Sequence, residues 1–421
     1  MARHKQVVDR ESVLLVGNFR PTLPVARSLS KAGYRVILAA DGFPAAERSR
    51  FVDEVWQSKA EPFTSDDFVG ELRKFAASRD DLVGVYPISQ RMILELMPQS
   101  QRLSVPLITV APDLFKTSVD KVRTSRLASD VGIPVARFAE GSSVQDLIEI
   151  ADDLGYPCVF KRNDGLERGV KAIVFRDRSQ AQFAAERRPD LFDNFMVQQF
   201  ASGGRLNRYF IAHQGRILRS LDIKTFRTDR IDDTGLGVSG MSVAPFTKLD
   251  RPSHRLVEAL NYTGVGCLQY LVNDGRSSIS FLEINARIGG NYAFTHDCGL
   301  DQASAFLDVL QGRRLEHWAA PFAYPTGKRY AWLLGDLDGL LQSLEARAIS
   351  GSEAASWLVK AVWSGLRAHN HLQWRWDDPG PALYLGRKSI APLSRRAFRQ
   401  TARLLLHRSK ALGGRLALRA R

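Results

Sequence analysis

Four side chains in the second half of the chain, Gln269, Glu283, Asn285 and Arg287, have the types and spacing to hold a metal ion and a phosphate. Glu283, Asn285 and Arg287 stand two apart in Phe281-Leu-Glu-Ile-Asn-Ala-Arg287. In an extended strand all three point to one face, while Leu282 and Ile284 point to the other. Gln269 precedes Glu283 by fourteen residues, in Cys267-Leu-Gln-Tyr-Leu-Val-Asn273, and Asn273-Asp-Gly-Arg276 reads as the turn joining two adjacent strands. One carboxylate and two amide oxygens suit a hard cation such as Mg²⁺, which completes its shell with phosphate oxygens and water. A guanidinium beside it offers planar donors to phosphate or to a developing anion. The bland alternative is an edge strand with a solvated polar face.

Such a face needs elements that hold it in place. Val13-Leu-Leu-Val-Gly17 is a short buried strand closed by a glycine turn, Pro24 to Lys31 has helical character up to Gly33, and Tyr34-Arg-Val-Ile-Leu-Ala-Ala40 is a second strand. The unit reads as the start of a doubly wound α/β domain. Asp41 after the second strand could meet a ribose, but Gly17-Asn-Phe-Arg-Pro-Thr lacks the glycine fingerprint of a dinucleotide site. Leu82 to Pro87 and Leu107 to Val110 are expected as further strands, with Ser89, Gln90 and Arg91 either ligand contacts or a polar helix start. Pro112 to Val119 reads as a break, Asp120 to Gly132 as a helix, and Arg208–Ile217 and Ser220–Arg227 as later strands.

The pattern Gln269…Glu283-x-Asn285-x-Arg287, with Gly289-Gly290 after it, resembles the end of the ATP-grasp domain, in its carbamoyl-phosphate-synthetase branch. The resemblance spans residues 10 to 315 and implies a Rossmann-like domain without cofactor over residues 1–115. A two-subdomain ATP-grasp domain would follow over 116–318, hinged near 197–201. It implies ATP with Mg²⁺ (or Mn²⁺) held by Gln269, Glu283 and Asn285, and phosphates met by Lys121 and by Lys161. A loop carrying Gly165 and Gly169 would close over them, although Arg162 stands where proline is usual. Gln198, Gln199, Phe200 and Ala201 would read the adenine, and Asn207 the ribose. Arg287, with Lys224 and Arg227 from an earlier strand, would serve the transferred phosphate and the acceptor, and Asn291 to Gly299 could line the acceptor pocket. The reaction implied is activation of a small carboxylate as an acylphosphate and its transfer to an amine. The alternatives are a bicarbonate-using carboxylase of the biotin carboxylase or carbamoyl-phosphate type, and an ATP-binding regulator without turnover. Dimers are common in similar proteins, so a homodimer is compatible with the resemblance.

Composition bounds the remaining possibilities. With 421 residues, 44% hydrophobic and 25% charged, the chain has material for two or three domains with cores. Cys158, Cys267 and Cys298 are odd in number and widely spaced, which speaks against a disulfide framework or a zinc site. The charged start of the chain is unlike a signal peptide and no apolar run is long enough to span a bilayer, so a cytoplasmic protein is expected. Net charge is +14, but eleven of the 59 basic residues fall between Pro379 and Arg421 with no acidic residue among them, leaving 48 basic against 45 acidic elsewhere. The body is thus nearly neutral, which disfavours a specific nucleic-acid partner. Residues 319–391 read as a mainly helical extension, and 392–421 as a basic amphipathic tail that could lie weakly on an anionic membrane.

Overall fold

The computed structural model describes residues 10–17, 20–40, 45–60, 66–163, 172–273 and 278–388. Asp41, the glycines at 165 and 169, the 274–276 turn and the 392–421 tail lie outside the described residues. Three sheets organise the described residues.

The first sheet has strands β1 (Ser12–Val16), β2 (Arg35–Ala39), β3 (Glu54–Trp56) and β4 (Leu82–Pro87), all parallel in the order β3-β2-β1-β4. Every residue of β1 is buried, as a central parallel strand covered on both faces must be. Gly17 closes β1 at φ +95°, where a Cβ would come within 2.8 Å of Met92 Cγ, so both backbone and space favour glycine. The helix Thr22–Lys31 follows and returns the chain to β2. This is the expected Rossmann-like start.

Two expectations fail here. Leu107 to Val110 is no strand, contributing only an isolated bridge between Leu107 and Val85. Pro112–Val119 is a helix, because its proline sits in the first turn, where the missing N–H has no helical partner to lose. Ser89 is a helix start: its side chain accepts from the Met92 N–H at 3.2 Å and caps Gln90–Leu96.

The second sheet is antiparallel, with β5 (Phe138–Gly141), β6 (Cys158–Arg162), β7 (Ile173–Phe175) and β8 (Phe195–Gln199) in the order β5-β8-β6-β7. It has its own small core, in which Phe160 packs against Phe175, Phe192 and Phe195. Alternation sends Phe160 into that core and Lys161 out of it; the next residue, Arg162, points inward again. Arg162 is 2% exposed, donates to the Leu191 carbonyl at 2.6 Å and pairs with Asp193 at 2.7 Å. The arginine in place of the usual proline therefore ties β6 to the segment before β8.

The third sheet has seven strands: β9 (Gly204–His213), β10 (Arg216–Thr228), β11 (Gly237–Ser242), β12 (Gly264–Val272), β13 (Ile279–Asn285), β14 (Arg329–Ala331) and β15 (Asn370–His371). Their order is β13-β12-β9-β10-β11-β14-β15. Since β14 pairs antiparallel with β11 and β15 parallel with β14, the segment after residue 318 is knitted into this sheet. The boundary expected there cuts through a hydrogen-bonded sheet. The helices Leu333–Glu345 and Gly351–Leu366 pack on each other beyond it, the second opened by a capping box between Ser350 and Glu353. Among the described residues no helix is long and apolar enough to cross a membrane.

Candidate active site

Register decides which side chains meet. Glu283 on β13 is opposite Gln269 on β12, which is opposite Asn207 on β9. Directly opposed residues share a face, so the three form one row across three strands. Asn285 and Arg287 extend it: Asn285 Nδ2 donates to Glu283 Oε1 at 3.0 Å, and Arg287 donates to Asn285 Oδ1 at 3.3 Å.

Two adjoining cavities lie along this row. The larger, of about 170 Å³, lies between the second and third sheets. It brings together Lys121, Lys161, Gln198, Gln199, Phe200 and Ala201 on one side with Gln269 and Glu283 on the other. The smaller, of about 70 Å³, is lined by Asn207, Gln269, Asn285, Arg287 and Asn291, and by Arg20 and Arg205. Gln269 and Arg205 border both.

The larger cavity is built around Lys161. This lysine is 7% exposed and donates from Nζ to Gln198 Oε1 at 2.8 Å. Gln198, buried on the neighbouring strand, donates in turn to the Ala136 carbonyl at 3.4 Å. A buried ammonium at a cavity wall is placed to attract an anion. Lys121 opens the helix Lys121–Asp130, capped by Asp120, whose carboxylate accepts from the Arg123 N–H at 2.7 Å. Asn163 Oδ1 accepts from the Val122 N–H at 3.0 Å and so fastens the end of β6 to that helix start. The N–H groups of Gln199 and Phe200 are bonded to the Arg137 and Pro157 carbonyls, and Phe200 and Ala201 line the cavity. Leu271, Phe281 and Leu282 supply apolar contact.

The oxygen set fits a hard cation. Among the described residues no three His, Cys, Asp or Glu side chains come together as a metal cage. One carboxylate flanked by amides is the donor set that leaves Mg²⁺ to take phosphate oxygens. Asn207 Oδ1, at the end of the row, is buried without a hydrogen-bond partner, a polar acceptor that such a group would satisfy.

Three expected residues are placed differently. Asn207 borders the smaller cavity, not the larger, and donates to Thr225 Oγ1 at 2.9 Å. It stands next to Gln269, at the end of the row opposite Glu283. Lys224 is on the opposite face of the sheet: it shares parity on β10 with Asp222, which pairs with Arg208 at 2.8 Å on the side covered by the helix Asp250–Ala259. It lines neither cavity. Arg227 is also outside both, held in a two-pronged ion pair by the buried carboxylate of Asp336. A one-residue change in phase moves a basic side chain from one face to the other, and spacing along a single strand does not reveal it.

Arg20 and Arg205 were missed. Arg20 follows the C-terminal end of β1, where open α/β sheets place ligand loops. Its pKa is pushed down to about 10 by burial, with Arg287 adding repulsion. Arg205 shares parity with Asn207 on β9 and donates to the carbonyls of Gly235, at 2.8 Å, and Asp233. Burial raises the Cys267 thiol, and Glu283 adds to the shift, so Cys267 stays a neutral wall of the cavity.

Known proteins share this architecture. Residues 239–318 match the family model of the carbamoyl-phosphate synthase L chain ATP-binding domain. The chain is 21% identical over 362 residues to the carbamoyl phosphate synthase large chain of Mesorhizobium japonicum, covering 75% of this chain and 30% of that one. It is 24% identical to a putative urea carboxylase of Emericella nidulans, covering 60% and 23%. It thus spans under a third of the length of these relatives. Among solved structures, it superposes on Campylobacter jejuni biotin carboxylase with a TM-score of 0.58 at 15% identity, covering 75% of this chain and 72% of that one. An ADP complex of N5-carboxyaminoimidazole ribonucleotide synthetase gives 0.59 at 13% identity, covering 80% and 85%. Fold, matched segment and the Gln269–Glu283–Asn285–Arg287 row point the same way: the chain shares the fold of these solved structures and, over residues 239–318, is similar to the carbamoyl-phosphate synthase ATP-binding domain.

Proposed function

We propose that this protein is an ATP-dependent ligase that activates a small carboxylic acid as an acylphosphate and passes the acyl group to an amine. The observation that carries the reading is the position of Gln269: it borders both cavities, one suited to a nucleotide and one rich in guanidinium groups. A carboxylate in the smaller cavity would face a γ-phosphate at the end of the larger one.

In this reading the backbone after Phe200 meets the adenine edge, Lys121 and Lys161 hold phosphates, and Glu283, Gln269 and Asn285 hold Mg²⁺. When bound, Mg²⁺ neutralises phosphate charge and fixes its orientation. The acid's carboxylate oxygen attacks the γ-phosphorus and ADP leaves. The amine nitrogen then attacks the acyl carbon, phosphate leaves, and the nitrogen loses a proton. Arg287 stabilises negative charge on the acylphosphate and on the tetrahedral carbon. The chain supplies position and electrostatics, which dominate phosphoryl transfer, and no protein nucleophile is required.

A second reading, with bicarbonate as the acid, is favoured by the solved carboxylases among the structural neighbours, one of which was crystallised with MgADP and bicarbonate. One experiment separates them: ADP release from Mg·ATP with a panel of carboxylic acids and with bicarbonate, each with and without amine acceptors, using Glu283→Ala as control. Turnover that needs an organic acid and an amine supports the ligase. Turnover with bicarbonate alone transfers the assignment to a carboxylase. Nucleotide binding with no turnover under any condition overturns both and leaves a regulator.

A further inference from the structure

The smaller cavity carries more positive charge than one carboxylate needs. The most deeply buried arginines elsewhere in the described residues have carboxylate partners: Arg27 with Asp378 at 2.9 Å, Arg162 with Asp193 at 2.7 Å and Arg208 with Asp222 at 2.8 Å, and the half-buried Arg227 pairs with Asp336. Arg20, Arg205 and Arg287 are not neutralised in this way. Among the described residues none of the three has a carboxylate within ion-pair distance, and no Asp or Glu lines the cavity. The Nε atoms of Arg20 and Arg287 are buried without a hydrogen-bond partner, as is Asn291 Oδ1. Asp229, the acid nearest to Arg20 in electrostatic effect, is bonded instead to the Leu236 N–H at 2.7 Å.

The surroundings hold Arg20 in place rather than neutralise it. Its guanidinium stacks 4.0 Å from the centre of the Trp332 ring, and its one hydrogen bond is a 3.5 Å contact to the Gly237 carbonyl. On the other side a Cβ at Gly290 would come within 2.3 Å of Arg20 Nη2. Gly290 therefore leaves the space through which an arginine of the first domain reaches the row on the third sheet. A cation positioned by stacking and by a glycine, with donors left over, is built to receive an anion.

Resting on the ligase reading above, we propose that the acid substrate is a short dianion: one carboxylate lies by Arg287 to be phosphorylated, and a second anionic group is bound by Arg20. One carboxylate and one transferring phosphoryl group account for two of the three guanidiniums; the third calls for another negative charge. The cavity's 70 Å³ holds on the order of five waters, which sets the scale at a short-chain acid. Arg20 is then the specificity contribution of the N-terminal domain.

The test is calorimetric titration of the full chain, with and without Mg²⁺ and a non-hydrolysable ATP analogue, with malonate against acetate and succinate against butyrate. At least one dianion should bind about ten-fold or more tightly than its monoanion, as loss of a charge-assisted hydrogen bond would predict. Arg20→Gln should abolish that preference while leaving analogue binding unchanged, and Arg20→Lys should retain part of it. Equal binding of dianion and monoanion by the wild type, a measurement that needs no variant, overturns the proposal; so does an undiminished preference in folded Arg20→Gln. Dianion selectivity without binding of the analogue would sink the nucleotide reading and leave the anion pocket standing.

Discussion

The carboxylate of Asp378, near the end of the described chain, accepts from both Nε and Nη2 of Arg27 in the first helix, at 3.1 and 2.9 Å. Ser49 Oγ, at 2.6 Å, and the Arg50 N–H, at 3.1 Å, complete its shell. Both charged side chains are at most 5% exposed, so the C-terminal segment is locked to the Rossmann-like domain through a desolvated pair. Removing one partner of such a pair strands the other without water. Asp378→Ala is expected to destabilise the protein by about 3–5 kcal/mol, read from urea unfolding, whereas a loss below about 1 kcal/mol would show that the pair contributes little.

Glu283 is the only carboxylate in the Gln269–Glu283–Asn285 set. Glu283→Ala should lower kcat at least about a hundred-fold, the scale of losing a group that stabilises transition-state charge. Affinity for nucleotide without metal should be little changed. Activity near the wild-type level would refute the metal assignment.

Lys161 and Gln198 form a buried donor–acceptor pair at 2.8 Å. Lys161→Met should weaken ATP binding by roughly ten- to a hundred-fold, the range for one hydrogen bond to a charged group. Binding of adenosine, which has no phosphate, should not change. Equal losses for adenosine and ATP would mean that the lysine supports the fold of the second sheet instead.

Arg227 should report on stability and not on catalysis. Its partner Asp336 is 2% exposed and also accepts from Trp357 Nε1 at 2.6 Å, so Arg227→Met leaves a buried carboxylate without its cation. Unfolding measurements should show a loss of about 3–5 kcal/mol. The kcat at a temperature where the variant is folded should stay within about two-fold of the wild type. A hundred-fold fall in kcat with normal stability would return Arg227 to the active site.

Asp297 provides a pH-dependent link between the helix Tyr292–Asp297 and the C-terminal segment. Burial alone would raise its pKa, but the adjacent His296 imidazole, a hydrogen bond from Asn370 and the charge of Arg375, 2.8 Å away, hold it at about 2. A depressed carboxylate contributes stability above its unfolded value of 3.8 and loses it as pH falls through the folded value. The Tm difference between the wild type and Asp297→Asn should be full at pH 7 and shrink below about pH 4. A difference that is constant down to pH 3 would mean that charge is not its source.

Much of this was legible in the chain because it is local. Alternation put Glu283, Asn285 and Arg287 on one face, and their register against Gln269 follows from two strands joined by a short turn. Lys121 at a capped helix start, Lys161 on a strand that alternates core and cavity, and the segment from Gln198 to Ala201 all border one cavity, since each is set by the period of its own element.

What tertiary structure decided is relative placement. Lys224 and Arg227 had the right charge on the right strand, but the register of β10 against β9 puts Lys224 on the face where Asp222 pairs with Arg208, and Asp336 claims Arg227. Arg20 lies more than two hundred residues from Gly290 in sequence, yet meets it because an arginine side chain fills the space that a missing Cβ leaves. The residues after 318 looked like an appendage, because a three-residue strand such as β14 has little periodicity of its own; its identity lies in the edge of β11 that it pairs with. The sequence determined which groups could do chemistry; the packing of three sheets decided which of them face the same few ångströms of space, because long-range contacts leave no period in the chain.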